Sequence, residues 1–301
     1  VIDLYPLAIL IGGPTASGKT NLAFEIQNKI PSFIVNADSM QVYDKLNGLT
    51  NVPPKKNLVK HSCNLFGFVK YPKKCNVGFW SDSVQKLLLR SRNNIPIFVG
   101  GTGLYLESLF GKISPIPEIS QKVKNKVDKL FLKHGKNIFF KKLQKIDYSY
   151  SEKISKNDTQ RILRAITVKV GTGKNMTYWH KRISNKIFKK VLYVVIFEDR
   201  KVLYNNINNR CLQMLKSSVV NEVSYFLKEK KSISHPLHKS IGLYSLEKYI
   251  NGEENFDDTL QSFCLDTRRY AKRQITWFKN KSTNSVKLNF SDAKKFILKN
   301  I

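Results

Sequence analysis

Short apolar runs along the chain predict the buried strands of a parallel sheet. Residues 7–11, 33–35 and 95–99 are apolar runs, each followed closely by glycine or a polar side chain. A fourth run, residues 191–197, comes much later and ends at charged residues. Runs without polar alternation are typical of strands that are covered on both faces. The chain is therefore expected to build a sheet with helices on both sides.

Between these runs, apolar residues recur at helical spacing. Leu22, Ile26 and Ile30 follow one another at four-residue intervals after the first strand, and Pro31 stops this helix. Residues 80–92 show a helical pattern before the third strand. Strands that alternate with helices and end in glycine predict an α/β fold, a parallel sheet flanked by helices.

A strongly basic segment interrupts this alternation. The 301-residue chain carries 52 Lys plus Arg against 22 Asp plus Glu, a net charge of +30. Residues 116–190 contain 20 of the basic and 5 of the acidic residues, and they show helical periods without a strong strand. We therefore expect a basic helical insertion domain at 116–190 on a core formed by 1–115 and 191–301. Such a charge favours a nucleic-acid partner, although solvated lysines are the simpler source of part of it.

The cysteines and the apolar runs limit the class of protein further. Cys63, Cys75, Cys211 and Cys264 form no Cys-x-x-Cys pair, so neither a zinc site nor a disulfide framework is expected. No apolar run is long enough to cross a membrane. The early apolar residues lack the basic flank and cleavage site of a signal peptide. We expect a cytoplasmic enzyme without a membrane partner.

The loop after the first strand has the Gly-x-x-x-x-Gly-Lys-Thr pattern of a phosphate-binding P-loop. Its glycines let backbone N–H groups curl around phosphate oxygens, and the following helix N-terminus adds its dipole. Lys19 is expected to neutralise the outer phosphate, and the Thr20 hydroxyl to coordinate Mg²⁺. The expected fold is thus a P-loop NTPase-like sheet. The loop residues are Gly13, Pro14, Thr15, Ala16, Ser17, Gly18, Lys19 and Thr20.

Polar residues also follow the second and third strands. Asp38 comes after the run at 33–35, and Thr102 follows the glycines after 95–99. The carboxyl ends of parallel strands meet at one edge of the sheet, so Asp38, Thr102 and Lys19 are expected to converge. An NTPase normally has an acid at such a strand end, whereas the third strand here ends in glycines. A group transfer that releases diphosphate fits better; otherwise Asp38 is a helix N-cap or a Mg²⁺ ligand.

Six motifs resemble those of tRNA dimethylallyltransferases and extend in order over nearly the whole chain. Each motif alone is short, and their common order makes the resemblance specific. They are GPTASGKT at 13–20, DSMQVY at 38–43, GGTGLY at 100–105, NDTQRILRA at 157–165, TGK at 172–174 and RRYAKRQITWF at 268–278.

The resemblance implies transfer of a dimethylallyl group from dimethylallyl diphosphate to the exocyclic N6 amine of the adenosine immediately 3′ of the tRNA anticodon. The P-loop, Lys19 and Mg²⁺ would then bind a diphosphate leaving group. Asp38 would be the general base that orients the amine and removes its proton. Thr102 would lie near the oxygen that joins the prenyl group to diphosphate. The adenosine must leave its stack to reach such a site.

The resemblance also assigns residues to tRNA contact. Gln160, Arg161 and Arg164 share one face of a predicted helix, which without the resemblance would be read as a solvated face. Lys124 stands where the family commonly has an arginine, so the charge is kept and the planar fork is lost. The residues implied to contact tRNA are Asp38, Ser39, Met40, Gln41, Thr102, Lys124, Gln160, Arg161, Ile162, Leu163 and Arg164.

The sequence departs from the family pattern in two places, which bear on substrate grip and loop geometry. These departures lie at Leu49 and Val52, and at Leu243 and Tyr244.

The resemblance implies a monomer. The competing interpretation is a P-loop ATPase or small-molecule kinase whose basic surface is incidental, and the missing acid after the third strand speaks against it.

Overall fold

The computed structural model describes residues 5–91, 94–111, 114–182, 187–229 and 234–301, and the chain divides into two units. The first unit consists of Val1–Phe110 together with Lys186–Ile301, and the second is Gly111–Asn185. The second unit therefore starts and ends a few residues before the segment 116–190 that the sequence suggested. The sheet lies entirely in the first unit.

Six parallel strands form this sheet. The strands are β1 (Tyr5–Gly12), β2 (Ser32–Asn36), β3 (Cys63–Asn64), β4 (Ile95–Gly100), β5 (Phe188–Ile196) and β6 (Val286–Leu288). Their order across the sheet is β3-β2-β4-β1-β5-β6. The central strand β1 pairs with β4 and β5, so that Ile9 lies opposite both Ile97 and Leu192. The predicted α/β fold with a parallel sheet is confirmed.

Thirteen α-helices and a short 3₁₀ helix, Pro236–Lys239, lie in the described part of the chain. The α-helices are α1 (Lys19–Gln27), α2 (Lys55–Lys60), α3 (Val77–Arg90), α4 (Gly103–Ser108), α5 (Gln121–Ile146), α6 (Tyr148–Ser151), α7 (Thr159–Thr172), α8 (Met176–His180), α9 (Arg200–Leu215), α10 (Val219–Lys228), α11 (Leu243–Ile250), α12 (Phe256–Lys281) and α13 (Phe290–Asn300). In the described residues, no helix has the length and apolar character needed to cross a bilayer.

Helices cover both faces of the sheet because successive residues of β1 point to opposite sides. On one face, Ile9 and Ile11 pack with Leu22 and Ile26 of α1 and with Ile297 of α13. All five of these side chains are fully buried. This face therefore fixes α1, and with it the loop that connects β1 to α1.

The opposite face of the sheet carries the larger core. There Leu10 and Phe98 pack in one cluster with Trp80 of α3, Ile207 of α9 and Phe278 of α12. These side chains are also fully buried. The packing anchors α9 and α12, the two helices that supply further side chains to the site described below.

The second unit is helical, as expected, and contains α5 to α8. Its own apolar cluster includes Val127 and Leu143 of α5, Ile162 and Ile166 of α7 and Trp179 of α8. The long helix α5 is interrupted at Gly135, where φ is 74°. Strand β5 begins at Phe188, so the last residues of the predicted insertion belong to the sheet.

Candidate phosphate-binding and catalytic site

The P-loop turns sharply between β1 and α1. Positive φ angles of 145° at Gly13, 64° at Ala16 and 82° at Gly18 allow the chain to curl back on itself. Helix α1 begins at Lys19, and Gly18 supplies no side-chain cap to its first N–H groups. An uncapped helix N-terminus behind a curled backbone is the arrangement that binds phosphate.

Lys19 is held inside this loop. Its Nζ donates a hydrogen bond to the Pro14 carbonyl at 2.5 Å. Burial lowers the pKa of Lys19 to about 7, the negative charge of Asp38 acts in the opposite direction, and the positive charge of Arg210 lowers it further. A poorly solvated ammonium group is stabilised by an incoming anion, which is the role the sequence assigned to Lys19.

Helix α9 adds two side chains that sequence reasoning missed. Arg210 donates from Nη1 to the Thr15 hydroxyl at 2.9 Å, and Asn206 donates to the Ala16 carbonyl at 3.2 Å. Their four-residue spacing places them on the same face of the helix. Burial lowers the pKa of Arg210. The spacing was visible in the sequence, but nothing there showed that this face meets the P-loop.

Asp38 follows β2 in a turn that is held by its own neighbours. The Asn36 side chain accepts from the Asp38 N–H at 2.9 Å and donates to the Asp38 carbonyl at 3.1 Å. The Met40 N–H donates to Oδ1 of Asp38 at 2.9 Å. No helix starts after Asp38, because residues 39–42 form a turn, so the helix N-cap alternative is wrong. The carboxylate remains a candidate base or metal ligand.

Thr102 fixes the same turn from the neighbouring strand. Its Oγ1 accepts from the Ser39 N–H at 2.9 Å and donates to the Ser39 hydroxyl at 3.1 Å. Its backbone N–H also donates to the Ala37 carbonyl at 3.2 Å. The structure therefore places the Thr102 hydroxyl against Ser39. Its assignment to the bridging oxygen of the donor stays a prediction.

One cavity of about 420 Å³ brings most of the predicted residues of the first unit together. Its lining includes Lys19 and Asp38, two of the three residues whose convergence the sequence predicted, but not the third, Thr102, and it also lacks Gly13 and Pro14. The predicted residues that line it are Thr15, Ala16, Ser17, Gly18, Lys19, Thr20, Asp38, Ser39, Met40 and Gln41.

One of the two places where the sequence departs from the family pattern also lies at this cavity. Leu49, Thr50 and Asn51 belong to the lining. The Gln41 amide donates to the Thr50 and Asn51 carbonyls at 2.9 and 3.0 Å, and the Glu222 carboxylate accepts from the Leu49 N–H at 3.1 Å. The Gln41 side chain thus holds this loop, a contact that the sequence did not reveal.

Helix α12 completes the wall with Tyr270, Arg273 and Gln274. Burial raises the pKa of Tyr270, and the negative charge of Asp38 raises it further. A Cβ atom on Gly103 would lie 1.8 Å from Cζ3 of Trp277, so glycine is required where α4 meets this helix. The sequence pointed to α12 through the motif at 268–278 but did not indicate a role for Gln274.

The remaining predicted residues lie in the second unit. Gln160, Arg161 and Arg164 are exposed on α7, where the Asp158 side chain caps the helix by accepting from the Arg161 N–H at 3.0 Å. Lys124 and Leu163 are partly buried. The Ile162 side chain is fully buried in the core of this unit, where it packs with residues of α5 and α8. The predicted contact of this side chain with tRNA is therefore corrected.

The fold and the site define an α/β protein with a P-loop and a carboxylate that share one cavity. The chain belongs to the IPP transferase family, whose model matches residues 41–281. It is similar to the tRNA dimethylallyltransferase of Pelagibacter ubique (strain HTCC1062), with 39% identity over 96% of this chain and 93% of that relative. The enzyme of the same name from Bartonella tribocorum (strain CIP 105476 / IBS 506) is 38% identical over 90% of this chain and 94% of its own.

Solved structures agree with this family assignment. The tRNA delta(2)-isopentenylpyrophosphate transferase of Staphylococcus epidermidis is 28% identical, with a TM-score of 0.67 and 98% of each chain covered. A eukaryotic dimethylallyltransferase acting on tRNA shares the fold with a TM-score of 0.81 at 21% identity, over 94% of this chain and 74% of that one. The resemblance found in the motifs is thereby confirmed.

Proposed function

We propose that this chain transfers a dimethylallyl group from dimethylallyl diphosphate to the N6 amine of the adenosine immediately 3′ of a tRNA anticodon, releasing diphosphate. One observation supports this most directly: Lys19 of the P-loop and the Asp38 carboxylate line the same cavity. A phosphate-binding loop and a general base that line the same cavity are suited to group transfer between two substrates. We expect a cytoplasmic monomer.

The P-loop would bind and stabilise the leaving group of the reaction. As the C–O bond to diphosphate breaks, negative charge accumulates on the departing oxygens. Lys19 belongs to this loop and Arg210 lies beside it, and these are the cations that stabilise that charge. The N–H groups at the start of α1 contribute partial positive charge at the same place.

Asp38 would activate the acceptor amine. The lone pair of an adenine N6 amine is delocalised into the ring, so the amine is a weak nucleophile. A carboxylate that accepts its N–H orients the amine and takes up the proton as the C–N bond forms. The Met40 N–H already occupies Oδ1 of Asp38, which leaves Oδ2 as the oxygen for this role.

A magnesium ion fits the residues that are present. Mg²⁺ is commonly bound by one or two protein oxygens together with substrate phosphates. Thr20 offers such an oxygen at the cavity, and the described residues contain no cluster of three or more His, Cys, Asp or Glu that would cage a metal without substrate. When bound, the ion would neutralise charge on the diphosphate.

The tRNA surface is proposed from exposed residues of the second unit. Gln160, Arg161 and Arg164 present amide and guanidinium donors on one face of α7. Arg161 also forms an ion pair with Asp158, which orients its guanidinium group. Lys124 adds a point charge from α5.

A transfer assay tests the function against the kinase alternative. Purified protein is incubated with unmodified tRNA, Mg²⁺ and labelled dimethylallyl diphosphate, and labelled adenosine is measured. We expect transfer without ATP. ATP hydrolysis or phosphorylation without prenyl transfer would favour the P-loop ATPase or kinase.

An Asp38→Asn variant tests the base. Asparagine keeps the shape of the side chain and cannot accept the proton, so transfer should fall by roughly 10²–10⁴-fold. The affinities for tRNA and for dimethylallyl diphosphate should stay close to those of the unmodified protein, as filter binding and calorimetry would show. Full transfer activity in this variant would refute the assignment of Asp38.

A further inference from the structure

The Gln274 side chain connects two loops of the cavity. Its Oε1 accepts from the Thr15 N–H in the P-loop at 2.8 Å, and its Nε2 donates to the Gly101 carbonyl after β4 at 3.0 Å. We infer that Gln274 is a positioning residue that fixes the distance between the diphosphate-binding loop and the turn that carries Asp38. This inference rests on the proposed function.

The first contact completes the restraint of one peptide group. Lys19 donates to the carbonyl of the Pro14–Thr15 peptide at 2.5 Å, and Gln274 accepts from the N–H of the same peptide. Arg210 holds the Thr15 side chain at 2.9 Å. Both polar groups of this peptide are thereby fixed, and the phosphate-binding backbone takes its orientation partly from α12.

The second contact reaches the acceptor side. A Cβ atom on Gly101 would lie 2.2 Å from Nε2 of Gln274 and 3.3 Å from Oδ2 of Asp38. Glycine at position 101 therefore lets the amide and the carboxylate approach the same short piece of backbone. The next N–H of this backbone, that of Thr102, donates to the Ala37 carbonyl at 3.2 Å, so the position of this backbone helps to set where the Asp38 carboxylate lies.

Only a side chain with a donor at one side and an acceptor at the other can make both contacts. The glutamine amide provides both, whereas an ionised glutamate accepts only and a methionine of similar size offers neither hydrogen bond. Asparagine is one methylene shorter. Gln274 is 6% exposed on α12, and the neighbouring residues Ala271 and Phe278 of this helix are fully buried. The backbone that carries the Gln274 side chain is therefore firmly held.

The expected consequence is kinetic. Prenyl transfer requires the amine, the transferred carbon and the leaving oxygen to be aligned, and a misplacement of about 1 Å lowers such a rate by roughly 10²-fold. Each loop keeps its own contacts without Gln274, since Lys19 still holds Pro14 and Thr102 still holds Ser39. Binding of each substrate should therefore survive better than the transfer step.

The test compares Gln274→Met and Gln274→Glu with Gln261→Met, a matched change at an exposed position of the same helix. We expect kcat to fall by roughly 10- to 100-fold in both Gln274 variants. For Gln274→Met, KM for dimethylallyl diphosphate and calorimetric binding of inorganic pyrophosphate should change by no more than about threefold, because the phosphate-binding groups remain, whereas the carboxylate of Gln274→Glu also repels the anion. Gln261→Met should behave like the unmodified protein.

The outcomes separate this inference from the proposed function. Unmodified protein that transfers no dimethylallyl group contradicts the function itself. If the unmodified protein is active, unchanged kcat in the Gln274 variants overturns the positioning role, and so does a loss confined to KM or to the folded fraction measured by circular dichroism. The glutamate variant keeps one hydrogen bond and the polar character of the site, so it guards against failure of Gln274→Met to fold.

Discussion

Arg210 is a partly buried cation at the P-loop, and its removal should weaken anion binding while leaving the free energy of unfolding almost unchanged. Its guanidinium donates to the Thr15 hydroxyl, and among the described residues no carboxylate lies within ion-pair distance of it. Arg210 also lowers the pKa of Lys19, which means that the two cations repel each other. Such a pair is unfavourable until an anion binds between them.

The size of both effects follows from this geometry. Arg210→Met keeps much of the side-chain length and removes the charge and the donors. Losing a hydrogen bond from a charged group to diphosphate removes about 1.5–3 kcal/mol, so donor affinity should fall roughly 10- to 150-fold. The Thr15 hydroxyl loses one partner, at about 1 kcal/mol, while relief from repulsion and desolvation offsets this loss. The free energy of unfolding should then change by less than about 1 kcal/mol in either direction.

Calorimetry with pyrophosphate or dimethylallyl diphosphate measures the affinity, and urea unfolding without ligand measures the stability. Arg200→Met, at the exposed start of the same helix, is the matched control and should change neither quantity. A variant whose affinity is unchanged, or one whose unfolding free energy falls by several kcal/mol, would show that Arg210 serves the fold and not the anion.

Two further predictions concern stability. Gly103→Ala puts a Cβ atom 1.8 Å from the Trp277 ring, and overpacking of this kind should lower the free energy of unfolding by about 1–3 kcal/mol in urea titration; an unchanged value would show that α4 and α12 separate easily. His235 is fully buried, its Nδ1 accepts from the Leu237 N–H, and burial lowers its pKa. Because the folded state disfavours its protonation, stability is present above the unfolded pKa of about 6.5 and lost as pH falls below it. His235→Phe should lose less stability between pH 7.5 and 5.5 than the unmodified protein, and equal losses would contradict this.

The sheet could be predicted where burial on both faces leaves a continuous apolar run. The four predicted runs became β1, β2, β4 and β5, with their bounds shifted by a few residues. The edge strands β3 and β6 are only two and three residues long, and Val286 and Lys287 in β6 are exposed. Strands this short carry no periodic signal, and they form because a neighbouring strand offers unpaired backbone groups.

The site divides in the same way between local and distant information. The P-loop and the turn at Asp38 are contiguous motifs, so their chemistry could be predicted from residue order. Arg210 and Gln274 reach the P-loop from 195 and 259 residues away, respectively. The packing of α9 and α12 on the sheet decides which face of each helix contacts the P-loop. That packing cannot be read from a single sequence.

The glycines after β4 explain how a carboxylate from β2 reaches a phosphate loop that follows β1. Strand β4 lies between β1 and β2, so an acid at its own end would be the one nearest to the phosphates. A Cβ atom on Gly100 would lie 2.1 Å from the backbone of Ala37, and one on Gly101 would lie 3.3 Å from Oδ2 of Asp38. Because glycine leaves this space open, the turn after β2 lies over the end of β4 and brings Asp38 to the cavity from one strand further away. A carboxylate at that distance leaves room beside the P-loop for a second substrate, which an NTPase that admits only a water molecule does not need.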